Sequence, residues 1–121
     1  MQEKRKEPRY PINNALRVAD VTCGQLPHSE AFYRVLGADI SRTGASFTTW
    51  DPVDGEVVFA LGNPPDLTYV IGRVAHCGES YDNASQLFRV GCEFTGRATP
   101  DSTGQLVRQE GATFVLASDD H

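Results

Sequence analysis

The chain has no Cys-x-x-Cys pair, no apolar run near the roughly 20 residues of a bilayer span, no internal repeat and no excess of positive charge. Each absence removes a class of function. Cys23, Cys77 and Cys92 lie too far apart, with or without His28 and His76, for the short ligand spacings of a structural zinc site. Their odd number points to free thiols, and the opening residues MQEKRKEPRYP hold no hydrophobic segment of the secretory kind, so a reducing, cytoplasmic setting is expected. A net charge of -5 argues against a non-specific nucleic-acid binder, which needs a broad basic surface to displace counterions from phosphates. Any anion site must therefore be local. Asp39, Ser41 and His76 are the residue types of a hydrolytic triad, but no Gly-x-Ser-x-Gly elbow surrounds a nucleophile, and no enzyme is expected.

What the chain does contain is a series of short apolar runs cut by glycine and proline. Its 121 residues suffice for one hydrophobic core, and 40% hydrophobic with 22% charged residues is ordinary for a single soluble domain. Residues 1 to 11 read as a flexible, locally basic arm punctuated by Pro8 and Pro11. Strands are expected near 12–23, 31–41, 45–50, 56–61, 68–77 and 86–95, separated by turns such as Asp51-Pro52-Val53-Asp54-Gly55. In the second, alternation assigns Phe32, Leu36, Ala38 and Ile40 to the core and Tyr33, Val35, Asp39 and Ser41 to the outer face. In the last, Phe88, Val90, Cys92 and Phe94 oppose Arg89, Gly91 and Glu93, and the loop 78–85 joins it to its neighbour. Thr99-Pro100-Asp101 resembles a helix start, so a helix including Leu106 and Val107 is expected, followed by a disordered tail at 118–121. With no alternation of strand and helix, the expected fold over 12–117 is a six-stranded antiparallel β-barrel carrying a C-terminal helix.

Two stretches carry chemistry. Asp39-Ile40-Ser41-Arg42-Thr43-Gly44 puts two short polar side chains two residues apart at a strand end, with Gly44 expected to reverse the chain and leave its N–H open to a ligand. Arg5 and Arg9 lie four apart on the arm. A guanidinium fork donates two parallel hydrogen bonds, which suits both phosphate oxygens and the O6/N7 edge of guanine. Taken alone, each stretch has a plain explanation as a turn or a solvated charge run.

Together, Arg-x3-Arg followed by Asp-x-Ser-x2-Gly resembles the signature of the PilZ domain family. Gly72-Arg73-Val74-Ala75-His76 and Phe88-Arg89-Val90-Gly91-Cys92-Glu93-Phe94 also look like that family's later strands. The resemblance runs from Arg5 to about Val107. It implies a β-barrel that binds the bacterial second messenger cyclic di-GMP on its outer surface, with no cofactor or metal. By position, Arg5 and Arg9 would clamp the ligand and Asp39, Ser41 and Gly44 would form the facing ledge. Lys4 stands before the first arginine, where a cation in that family goes with an intercalated dimer of the nucleotide, so the resemblance implies a dimer over a single nucleotide. Gly91, on the outward face, would leave room for a base beside the wall. The arm is expected to order on binding and pass the signal to a downstream protein, without nucleic acid or membrane insertion. The alternative is a PilZ-like adaptor that docks on another protein and responds little to nucleotide.

Overall fold

Branched and aromatic side chains favour a pleated, half-buried backbone, and in this computed structural model every regular element among the described residues is a strand. Residues 10–11, 16–62, 65–82 and 85–109 are described. The strands are β1 (Tyr10–Pro11), β2 (Leu16–Asp20), β3 (Tyr33–Ile40), β4 (Gly44–Thr49), β5 (Glu56–Leu61), β6 (Thr68–Asp82), β7 (Ser85–Pro100) and β8 (Leu106–Gln109). All pairings are antiparallel. β2 pairs with β3, β3 with β4, β4 with β7, β7 with β6, β6 with β5, and β5 returns to β2, so the strands form a closed ring. β1 joins β3 and β8 joins β7 outside that ring. No helix of the described residues is long and apolar enough to cross a membrane.

The principal core draws buried side chains from each of the ring strands: Leu16 and Val18, Val35 and Ala38, Ala45 and Phe47, Val57 and Phe59, Val70, and Val90 with Cys92 and Phe94. Phe59 stands edge-on to both Phe47 and Phe94, with ring centroids 5.8 and 5.7 Å apart. β5 is buried on both faces, because Val58 and Ala60 enter a second cluster with Leu26, Tyr69, Ile71, Ala98 and Leu106. That outer cluster is roofed by β8 and by the loop carrying Leu26.

Three expectations are corrected here. The helix expected from Thr99 through Val107 is the end of β7, a turn and β8. Asp101 organises that turn, since its Oδ1 accepts from the Thr103 N–H at 2.8 Å, the Thr103 hydroxyl at 2.6 Å and the Gln105 N–H at 3.2 Å. The Thr103 hydrogen bonds, first the hydroxyl and then the backbone, hold the Asp101 carboxyl below its ordinary range. An Asx turn and a helix N-cap recruit the same residues, which is why the sequence pattern was ambiguous. Residues 110 to 121, and with them the expected tail, lie outside the described residues. The loop expected over 78–85 is largely strand, because β6 and β7 pair out to Asp82 and Ser85.

The third correction concerns β3. Leu36 lies opposite Thr48 and Asp39 opposite Ser46, so β3 spends three steps where β4 spends two. Such a bulge exchanges the faces of the side chains beyond it. Val35 is therefore buried at 3% exposure and Leu36 projects outward at 58%, the reverse of simple alternation, while Ala38 and Ile40 pack inward as expected.

Burial pushes the Cys92 thiol up from 9.0 to about 12, with a smaller contribution from Cys77. The thiolate is the nucleophile, so Cys92 stays unreactive near pH 8 while exposed Cys23 does not. Brief native-state alkylation with iodoacetamide at pH 8, read by mass spectrometry, should label Cys23 and spare Cys92; early labelling of Cys92 would contradict its burial. By linkage, the part of the stability that this thiol contributes is fully present below its unperturbed value of 9.0 and declines as pH rises from there towards 12.

Candidate functional site

Residues directly opposite one another in neighbouring strands point to the same face, so register alone lines up Asp39 of β3, Ser46 of β4, Gly91 of β7 and His76 of β6. A second outward row, two residues along, holds Thr48, Arg89 and Gly78. Asp39 is partly covered, its side chain 24% exposed, and Arg89 is 37% exposed. The bulge in β3 creates this arrangement, because it returns Asp39 to the outer face after Ala38 has turned inward.

The polar side chains of the two rows form a closed cluster. Asp39 Oδ1 accepts from the Ser46 hydroxyl at 2.9 Å, and Asp39 Oδ2 accepts from Arg89 Nη2 at 3.1 Å. The same Nη2 donates to Ser46 Oγ at 2.9 Å, and Nη1 donates to Thr48 Oγ1 at 3.0 Å. Beside the cluster lie Gly91 and Gly78. A Cβ added at Gly91 would lie 3.8 Å from His76 Cδ2 and one at Gly78 would lie 3.5 Å from His76 Cε1, so the imidazole lies over the space these two glycines leave. The cluster thus offers a held carboxylate and a guanidinium next to an imidazole that lies over two glycines. Chemically it suits a planar polar ligand that both donates and accepts.

The expected ledge residues divide. Asp39 takes its place on the outer face. Ser41 does not: its side chain is buried at 5% exposure, where Oγ donates to the Gly44 carbonyl and accepts from the Thr43 N–H, both at 3.4 Å. The hydroxyl shapes the turn between β3 and β4, which the Ser41 N–H closes onto the Gly44 carbonyl at 2.9 Å. Gly44 is also different from expectation. Its φ is not positive, and it begins β4 instead of ending a strand. A side chain is excluded there because a Cβ would fall 2.3 Å from the Cys92 carbonyl oxygen of β7. Gly91 faces outward beside His76, in line with the sequence reading. Lys4, Arg5 and Arg9 lie outside the described residues.

Arg89, Ser46 and Thr48 were not among the residues singled out from sequence. Their outward direction was legible, since each alternates with core residues, but nothing local says that β4 lies between β3 and β7. A patch of larger apolar side chains adjoins the cluster through Thr48. Tyr33, Leu36, Trp50 and Leu87 line a groove of about 150 Å³, with Trp50 at 65% exposure. The Tyr33 hydroxyl donates to Asp20 Oδ1 at 3.0 Å, and burial, followed by that bond, pushes the phenol well above the usual tyrosine range. Among the described residues no group of three metal-ligating side chains converges.

The two glycines make opposite predictions. Gly44→Ala drives a Cβ into a backbone carbonyl and should cost about 1–3 kcal/mol, several degrees or more in Tm. Gly91→Ala meets only an imidazole edge at ordinary contact distance and should move Tm by less than about 3 °C. Thermal melts followed by circular dichroism compare them directly, and equal losses would refute the close approach at Gly44.

Comparison of the chain with protein-family models, with curated proteins and with solved structures found no match.

Proposed function

We propose that the chain is a PilZ-like receptor for cyclic di-GMP, its ring of strands corresponding to the six-stranded barrel of that family and the Asp39 cluster to the nucleotide ledge. The observation that carries this reading is the register of β1, in which Tyr10 lies opposite Ile40 and Pro11 opposite Asp39. Arg9 is bonded to Tyr10, the residue next to the one opposite Asp39, which supports a reading in which the arginine pair meets a ligand held at the ledge. Arg5, four residues earlier, is within about 14 Å of Arg9 even on a fully extended chain. In this reading Arg5 and Arg9 supply forks to the phosphates and to the purine, while the Asp39 carboxylate accepts from the N1 and N2 donors of guanine. The base would lie beside Gly91 and the His76 imidazole, and Ser41 with Gly44 would serve by shaping the turn behind the ledge. Lys4 adds a third cation, which favours an intercalated nucleotide dimer. Folding of the arm over the ligand would create the surface read by a downstream protein, and such a ligand implies a cytoplasmic receptor.

The groove beside Leu36 and Trp50 supports a second reading, a PilZ-like adaptor that docks on another protein with little nucleotide response. Calorimetric titration with cyclic di-GMP at tens of micromolar protein separates the two. The receptor reading expects heat with one or two nucleotides per chain, and expects Arg5→Ala and Arg9→Ala each to weaken binding about tenfold or more, as for a lost hydrogen bond to a charged group. Absence of heat would leave the adaptor, and affinities untouched by both substitutions would refute the arginine clamp. Amide exchange over residues 2–10 should slow when ligand is added, and unchanged exchange would remove the arm from the mechanism.

A further inference from the structure

We infer that Arg89 is the positioning residue of this site: by holding Asp39, Ser46 and Thr48 together across three strands, it sets the orientation in which the Asp39 carboxylate meets a base, and so sets the preference for guanine. The inference rests on the nucleotide-receptor reading for its ligand, although its geometric half does not. Arg89 stands on β7, and its guanidinium reaches over β4 to β3, a span of two strand spacings or about 10 Å. One nitrogen, Nη2, is shared between Asp39 Oδ2 and Ser46 Oγ, at 3.1 and 2.9 Å. The other, Nη1, is tied to Thr48 Oγ1 at 3.0 Å. Ser46 closes the cycle by donating to the second carboxylate oxygen at 2.9 Å.

Rotation about the last torsion of an aspartate is ordinarily loose. Here each carboxylate oxygen is gripped by a different donor, so the plane of the group is set before any ligand arrives, and less ordering remains to oppose binding. A carboxylate only accepts hydrogen bonds. Held in one plane, it matches an edge that presents two adjacent donors, as guanine does with N1–H and N2–H. Adenine presents N1 as an acceptor beside the N6 donor, and a fixed acceptor pair leaves that N1 unmatched. A carboxylate free to rotate could offer adenine one oxygen and turn the other aside, so discrimination depends on the grip as well as on the aspartate. Lysine cannot replace the grip, because an ammonium lacks the planar fork that spans these acceptors.

The test uses the full chain and Arg89→Gln, Arg89→Lys, Asp39→Asn and the double variant Arg89→Gln/Asp39→Asn. Thermal melts without ligand examine the geometry: the double variant should lose at least about 3 °C less than the sum of the two single losses, and additive losses would overturn the inference. Titrations with cyclic di-GMP and cyclic di-AMP examine selectivity. Arg89→Gln and Arg89→Lys should each weaken cyclic di-GMP binding about tenfold and shrink the guanine-over-adenine preference by a similar factor, with no further loss when Asp39→Asn is already present. Wild-type affinity and selectivity in Arg89→Lys would show that charge alone suffices and would overturn the inference. Equal weakening of both nucleotides would likewise reduce Arg89 to a general support. If the unmodified chain gives no heat with either nucleotide, the receptor reading and the selectivity it entails both fail, while the melts still decide whether Arg89 positions Asp39.

Discussion

A single extra residue in β3, between Leu36 and Asp39, is the constraint on which the rest of this structure turns. Before it, Val35 faces the core and Leu36 faces outward; after it, Ala38 and Ile40 face the core and Asp39 faces outward. Without the bulge, a strand that buried Val35 would bury Asp39 too, because both are odd-numbered and alternation has a period of two. An unpaired carboxylate in an apolar core is costly enough that the strand would have to slip or stay unpaired. The bulge thus lets one strand serve a hydrophobic interior and a polar exterior at once. It also puts Leu36 on the surface, where it borders the groove with Trp50.

The rest of the ring accommodates similar adjustments. β6 and β7 shift register between Ile71 and Gly72 and again between Val74 and His76. The second shift places Val74 and Cys77 against the core while His76 lies between them on the outside, next to Gly91. Gly44 and Gly72 fill places where strands approach too closely for a side chain, against the Cys92 carbonyl and the Phe59 ring. Phe59 itself joins the two edge-on aromatic contacts at the centre of the ring. β5 carries apolar residues on both faces because it separates two cores, one inside the ring and one under β8. Its Glu56 accepts from Arg108 of β8 at 3.3 Å at the rim of the outer core.

On the outer surface, Arg89 and Asp39 form a partly covered ion pair reinforced by two hydroxyls, an arrangement better ordered than an isolated surface pair because the members hydrogen-bond to one another. The Arg73–Glu93 pair, between β6 and β7, is far more exposed. The difference makes the Asp39 cluster the natural place to look for recognition on a chain of net charge -5, where a local cation must be held in place to meet an anionic partner.

Much of this was legible in the amino-acid sequence. The strands over 16–20, 45–49 and 56–61, the inward Ala45 and Phe47, and the alternation of Val90, Cys92 and Phe94 against Arg89, Gly91 and Glu93 all follow from local pattern, because the side-chain period of a strand is a property of the chain itself. Other features depended on partners distant in sequence. The β3 bulge appears only when β4 is laid beside β3, the burial of Ser41 only when the turn closes onto Gly44, and the reason for Gly44 only when β7 brings up the Cys92 carbonyl. The stretch from Thr99 to Val107 had helix-start residues, yet pairing with β7 and burial of Leu106 under the second core made it a strand, tertiary contacts outweighing local propensity. The sequence by itself determined the alternation within β4 and β7 and the break at 51–55. Only the tertiary structure decided that Asp39, Ser46, Thr48 and Arg89 meet, because that requires strands up to 50 residues apart in the chain to become neighbours in the sheet.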